Sequence, residues 1–175
     1  PQGTIGRELF EERVSLRMRR EGEGLDHAES SCNYSFGLAP GVPLDVSGYT
    51  SLSVRARIKI RLQDVTTCGI RGSECPVMLE LEYLGKGKTP DQPQYWRHGF
   101  YALRPAADSN PLSCDTCVQD HERVSPDVWY LYDSGDLFRL LPENRRPEKI
   151  LRIKVYASGH AYDAVVTDLT LAAGK

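Results

Sequence analysis

The sequence predicts an all-β fold: an antiparallel β-sandwich, a jelly roll of about eight strands with at most one short helix. Three observations carry that prediction. Residues 51–62 alternate apolar and polar side chains, the period-two pattern of a strand with one dry and one wet face. Further runs rich in Val, Ile, Leu, Tyr and Trp recur along the chain, separated by Gly, Pro, Asp and Ser. Helical signal is confined to 136–141 (DLFRLL), which Pro142 ends.

Taken in order, residues 13–18 alternate Val14, Leu16 and Met18, and residues 32–37 read as another short strand. In 51–62, Leu52, Val54, Ala56, Ile58, Ile60 and Leu62 point one way, and Arg55, Arg57, Lys59 and Arg61 the other. Val77, Leu79, Leu81 and Tyr83 make the next strand, with Glu80 and Glu82 on its opposite face. Cross-strand pairing of these two acids with the basic stripe would neutralise it, against the alternative that the stripe binds an anionic polymer. Residues 94–103 form a strand rich in aromatics, and 128–132, 150–156 and 162–171 form three more. The irregular stretch 104–127 is long enough to need a reason, and its Cys114-Asp-Thr-Cys117 suggests cross-linking.

Composition sets the frame. A chain of 175 residues suits one domain over 1–175, and its start at Pro1 suggests a piece of a longer exported protein. Apolar residues at 40% and charged residues at 26% are enough for a packed core. A net charge of −2 argues against coating nucleic acid or anionic lipid. No apolar run approaches the ~20 residues that span a bilayer, so no membrane insertion is expected.

Four of the five cysteines fall in two close pairs, Cys68 with Cys75 and Cys114 with Cys117, each in a loop-like context. Two local disulfides in an extracellular, periplasmic or cell-surface protein is the leading reading. Cys32, in a predicted strand, is expected to be a buried thiol, which lowers the weight of the glycosylation sequon Asn33-Tyr34-Ser35 beside it. Zinc is the alternative at the second pair, because Cys114, Cys117 and His121 have the spacing Cys-x2-Cys-x3-His. Its fourth ligand would come from Cys68, Cys75, His98 or an acid. A redox Cys-x-x-Cys would need a βαβ context that the pattern lacks.

The aromatic strand supplies the candidate ligand site. Tyr95, Arg97 and Tyr101 share one face; Trp96, His98 and Phe100 share the other. The face carrying Arg97 is expected outside, so Tyr95, Arg97 and Tyr101 are the candidate ligand-binding residues. Sugar CH faces stack on open aromatic rings, while polar neighbours such as Arg97 or His98 bond the hydroxyls. Trp129 is expected in the core.

Residues Val128-Trp129-Tyr130-Leu131-Tyr132, then Asp136-Leu137, the strand at 150–156, Gly159-His160-Ala161-Tyr162-Asp163 and the final strand with Asp168-Leu169-Thr170-Leu171 resemble the galactose-binding-like jelly-roll superfamily, which includes many carbohydrate-binding modules. The resemblance covers about 127–171 and implies an exported, mostly non-catalytic fold. It also implies a structural calcium with an acid on the last strand, here Asp168, and partners near the N-terminus such as Glu11 or Glu23.

Motifs of catalysis are not seen: no Gly-x-Ser-x-Gly, His-Glu-x-x-His or phosphate loop occurs. The expectation is therefore a non-catalytic binding module, with carbohydrate as first ligand. The alternatives are a structural domain that assembles with its parent or a protein partner, and a zinc-stabilised module around the Cys114 loop. No cofactor beyond the calcium is called for.

Overall fold

In the computed structural model, which describes residues 3–22, 26–36 and 42–175, the alternating segments form two facing sheets. The first sheet has the order β1 (Thr4–Phe10), β2 (Arg13–Arg20), β11 (Tyr162–Gly174), β5 (Ser51–Gln63) and β9 (Tyr130–Asp133). The second has the order β3 (Ala28–Ser35), β10 (Pro147–Gly159), β6 (Val77–Gly85), β7 (Gln94–Tyr101) and β8 (Glu122–Arg123), and β4 (Leu44–Asp45) also pairs with β10. Neighbours are antiparallel except β7 and β8, which are parallel. The architecture is an all-β jelly-roll sandwich.

Alternation decides what lies between the sheets. Leu52, Val54, Ala56, Ile58 and Ile60 of β5, with Ala164 and Val166 of β11, face Val77, Leu79, Leu81 and Tyr83 of β6 and Trp96 and Phe100 of β7. Each large side chain so buried stabilises the fold by about 1.5–3 kcal/mol. The one α-helical turn among the described residues is α1 (Leu137–Leu140), followed by a 3-10 turn at Glu143–Arg145. Asp136 caps α1 by accepting the Phe138 N–H, and the same carboxylate oxygen accepts the Leu52 N–H at 3.1 Å, which ties the turn to β5.

Five expectations change. Among the described residues the strands number eleven rather than about eight, because β1 and the two-residue β4 and β8 carry too little alternation to read. The alternation of β5 breaks at its end: the register against β11 slips between Ile60 and Leu62, and Leu62 turns out to solvent at 45% exposure. Glu80 and Glu82 cannot neutralise the basic stripe of β5, since β5 and β6 lie in different sheets. Cys32 is exposed, not buried, because β3 is an edge strand. Asn33 is exposed with it. The predicted strand 32–37 ends at Ser35, and Gly37, like Glu23, lies outside the described residues.

Both predicted disulfides form, Cys68–Cys75 and Cys114–Cys117. Their loops cover the outer side of β7 and are fastened there by His121. Nδ1 of His121 accepts the Gly99 N–H at 2.8 Å, and Nε2 lies 2.6 Å from the Gly72 carbonyl. A carbonyl only accepts, so Nε2 carries the proton and the ring is neutral. Burial holds the His121 pKa below its ordinary value. Gly99 has to be glycine: an added Cβ would stand 2.3 Å from Cys75 Sγ and 2.8 Å from His121 Nδ1. Gly99→Ala is therefore expected to cost about 1–3 kcal/mol, as overpacking does. Urea unfolding of the oxidised protein checks it; an unchanged midpoint would show that the clasp is loose.

Candidate functional site on the outer face of the first sheet

The hairpin of β1 and β2 turns at Glu11 and Glu12, both at positive φ (46° and 66°). Its tip lies over the outer face of its own sheet. Glu11 accepts from Lys59 Nζ at 2.6 Å and from Trp129 Nε1 at 2.6 Å, although β11 separates β2 from β5. The sheet must therefore curl so that its edge reaches its middle. Phe10 sits in the concavity, with Arg17, Lys59 and Arg61 at 5.9, 5.6 and 5.4 Å from its ring centroid. Trp129 meets Phe10 edge-on at 6.1 Å, and Lys59 lies 5.7 Å from the Trp129 ring.

The outward side chains of β11 confirm the cover. Ala164 and Val166 face the core, so Asp163, Val165 and Thr167 point outward, yet Val165 is fully buried and Asp163 only 8% exposed. Asp163 grips Arg17 with both oxygens, at 2.8 and 2.7 Å, and takes Arg61 at 3.2 Å. Asp127, at positive φ (58°), lies 3.5 Å from both Lys59 and Arg61. Arg55 pairs with Asp133 at 2.8 Å, and Arg17 also with Glu8 at 3.1 Å. The Lys59 ammonium beside Glu11 holds that carboxyl below its ordinary pKa, with the Trp129 N–H second. Glu11 in turn raises Lys59. The basic stripe is thus neutralised by acids of its own sheet and of the approach to β9, and it presents no bare positive surface.

Trp129 is half-buried on the solvent side of the first sheet, not in the core. It precedes β9 by one residue, and the period that turns Tyr130 and Tyr132 to the core puts it outward with the exposed Leu131. A groove of about 200 Å³ opens at the end of β5, lined by Ile60, Arg61, Leu62, Ala102, Leu103 and Pro126. Arg61 belongs to both the groove and the charged face.

The residues singled out on β7 fare differently. Tyr101 does point away from the core, but it is only 4% exposed, packed with Cys68, Cys75, Met78 and Tyr156 under the disulfide loops. Tyr95 is half-buried, with the Arg97 guanidinium 4.8 Å from its ring centroid. Arg97 is bound to Glu80 at 2.6 Å and to the Thr116 hydroxyl at 2.6 Å. Glu82 is paired with Arg152. The three therefore do not form one open face. His98 points inward, stacked between Trp96 and Tyr132, with Nε2 3.2 Å from Glu122 but out of line for a straight hydrogen bond. His98 and the Tyr130 hydroxyl hold the Glu122 carboxyl below its ordinary pKa.

The donor set around Asp168 does not fit calcium. Its carboxylate lies 3.0 Å from Arg57 and 3.3 Å from Arg13, two cations where calcium would need further oxygens. Glu11 is committed to Lys59 and Trp129. Among the described residues the groups suited to a metal are Cys68, Cys75 with His121 and Cys114, Cys117 with His121. In both, the sulfurs are closed in disulfides.

No family model and no curated protein matches the chain. Among solved structures, the chain is similar to an exo-β-agarase at 14% identity and a TM-score of 0.39, over 99% of this chain and 22% of that one. It is also similar to a thermostable cellulase derived from the Cel12A cellulase of Rhodothermus marinus, at 11% identity and a TM-score of 0.45, over 98% and 85% of the two chains. The chain thus spans about a fifth of the agarase's length.

The Glu11 clasp has a pH signature. Its folded pKa is depressed from 4.5, so the clasp is complete above that pH and is lost as pH falls through the lower folded value. Trp129 fluorescence is expected to change in that acid range, while Trp96, 1% exposed, stays constant. In Glu11→Gln the acid transition should disappear; its persistence would show that another group controls the indole.

Proposed function

We propose that the chain is a non-catalytic carbohydrate-binding module of an exported or cell-surface protein, and that it binds on the outer face of the first sheet around Trp129. The observation that carries this reading is a half-buried indole outside the core, in contact with Phe10, Glu11 and Lys59, on the same face as Arg61, which reaches the Phe10 ring and lines an apolar groove. An indole offers a stacking face to sugar CH groups, and fixed carboxylates and guanidinium groups suit hydroxyls. Because the cations of this face are matched by carboxylates, the ligand class is a neutral sugar rather than a sulfated or uronate polymer.

The two disulfides support export. The galactose-binding-like resemblance belongs to this same reading. Its non-catalytic part is supported by the state of the titratable groups. Both faces of the His98 ring are covered, both His121 nitrogens are bonded, and Glu80 and Glu82 are each held by an arginine. The rival reading, a domain that assembles with a protein partner, is favoured by Leu9 and Val14, paired across β1 and β2 and 74% and 60% exposed.

Affinity electrophoresis through gels cast with neutral polysaccharides separates the two. Wild type is expected to be retarded by at least one polysaccharide, Trp129→Ala to lose about tenfold in affinity, and Tyr95→Ala to behave as wild type. Retardation lost in Tyr95→Ala but kept in Trp129→Ala would move the site to β7. Retardation by none would favour the assembly reading.

A further inference from the structure

At the end of the sandwich where β10 begins and β11 finishes lies a pocket of about 360 Å³. Pockets of roughly 300 Å³ and upward hold small ligands. Several pieces of chain build it. The link from β4 to β5 turns tightly, with the Tyr49 N–H on the Val46 carbonyl at 3.1 Å. It is held to β11, where the Gly174 carbonyl accepts the Thr50 N–H at 2.8 Å. It is held to β10 as well, where the Glu148 carbonyl accepts the Val46 N–H at 2.8 Å. The approach to β10 adds Arg146 to the lining, and α1 adds Phe138.

The lining combines apolar and charged groups. Val46, Phe138 and Pro147 are buried, and Tyr49 is 36% exposed. Arg146 and Glu148 stand beside them, and neither side chain has a hydrogen bond or an ion pair among the described residues. For Arg146, which is exposed, that is ordinary. For Glu148, which is half-buried, it is not. Every other half-buried or buried aspartate or glutamate among the described residues has a partner, as Glu80 has Arg97, Glu82 has Arg152 and Asp163 has Arg17. A carboxylate drawn out of water without a partner costs folding free energy. Groups kept that way in a native fold are characteristic of binding sites, where the ligand is the partner.

The two opposite charges select the ligand. An anion would meet Glu148. A cation would meet Arg146 and also Lys175, whose Nζ lies 5.8 Å from the Tyr49 ring centroid. A purely apolar molecule would strip water from both charges and return no bond. A neutral sugar has hydroxyls that donate to the carboxylate and accept from the guanidinium, and its CH face suits the Tyr49 ring. We propose that this pocket is a second binding site for a neutral sugar, with Glu148 and Arg146 bonding its hydroxyls and Tyr49 stacking on its ring. The site is separate from the Trp129 face. β5 begins one residue after Thr50 and reaches Lys59, beside Trp129, eight residues later, roughly 26 Å along the strand. The inference rests on the lining of this pocket and not on the Trp129 face.

The test is isothermal titration of the whole chain, wild type and Trp129→Ala, with cellohexaose, mannohexaose, laminarihexaose and xylohexaose. Trp129→Ala is expected to keep saturable binding of at least one of them. Adding Tyr49→Ala or Glu148→Ala should weaken that binding about tenfold, and Arg146→Ala should act in the same direction. Neither charged side chain bonds within the chain, so Glu148→Ala and Arg146→Ala should leave the melting temperature no lower. Loss of all binding in Trp129→Ala alone overturns the second site and leaves the first standing. Loss in Tyr49→Ala or Glu148→Ala, with Trp129→Ala binding as wild type, keeps this site and overturns the other. Binding that survives Tyr49→Ala and Glu148→Ala undiminished in the Trp129→Ala chain overturns the proposal. A lower melting temperature in Glu148→Ala does so too, since it would make Glu148 a structural group. Phenylalanine, a zwitterion able to meet both charges, is the control. It should leave sugar binding unchanged, and competition from it would overturn the sugar assignment.

Discussion

The chain crosses from the second sheet to the first in two residues, His160 and Ala161, between β10 and β11. Most of the site depends on that crossing. Both strands sit inside their sheets, β10 between β3 and β6 and β11 between β2 and β5, so the crossing ties the middle of one sheet to the middle of the other. With Ala164 and Val166 turned to the core, Asp163 must face outward, where Arg17 and Arg61 reach it from the strands on either side. A slip of one residue would bury Asp163 between the sheets and expose Val166. The cost of an unpaired buried carboxylate forbids that alternative.

Curvature then turns a flat charged face into a site. β1 is at the edge of the sheet and β5 near the middle, yet Glu11 touches Lys59. The hairpin tip brings a carboxylate to a lysine only 7% exposed, and a benzene ring into a ring of cations. Exposed ion pairs are each worth little, at most about 1 kcal/mol. Their role here is geometric: they hold Phe10 and Trp129 in place.

The strand with one dry and one wet face was legible in β5, which alternates over most of its length, whereas β6 and the end of β7 are buried on both faces because the second sheet is covered on its outer side as well. The inward set Trp96, His98 and Phe100 follows from the period of β7 alone. β1 escaped notice because TIGRELF mixes Gly6, Arg7 and Glu8 with its apolar residues. The site was harder to read for a reason of distance. Tyr101 occupies the outward face that the period assigns, but a loop some thirty residues earlier, closed by Cys68–Cys75, covers it. The alternation of 128–132 puts Trp129 outward with Leu131, against the usual burial of a tryptophan that set the expectation, and its partner Glu11 is 118 positions away. Asp168 follows the same rule: a carboxylate reads as a cation ligand until the strands bring Arg13 and Arg57 to it.

The central claim is that Trp129, and not the β7 face, receives the ligand. The protein has two tryptophans, Trp96 in the core and Trp129 on the outer face, so an indole N–H spectrum has two assignable signals. The most direct measurement is a nitrogen–proton correlation spectrum recorded while soluble neutral oligosaccharides are added. Movement of the Trp129 indole signal with saturation, while Trp96 stays in place, is the predicted result. A spectrum in which signals from Tyr95 and Arg97 shift and the Trp129 indole does not would contradict it.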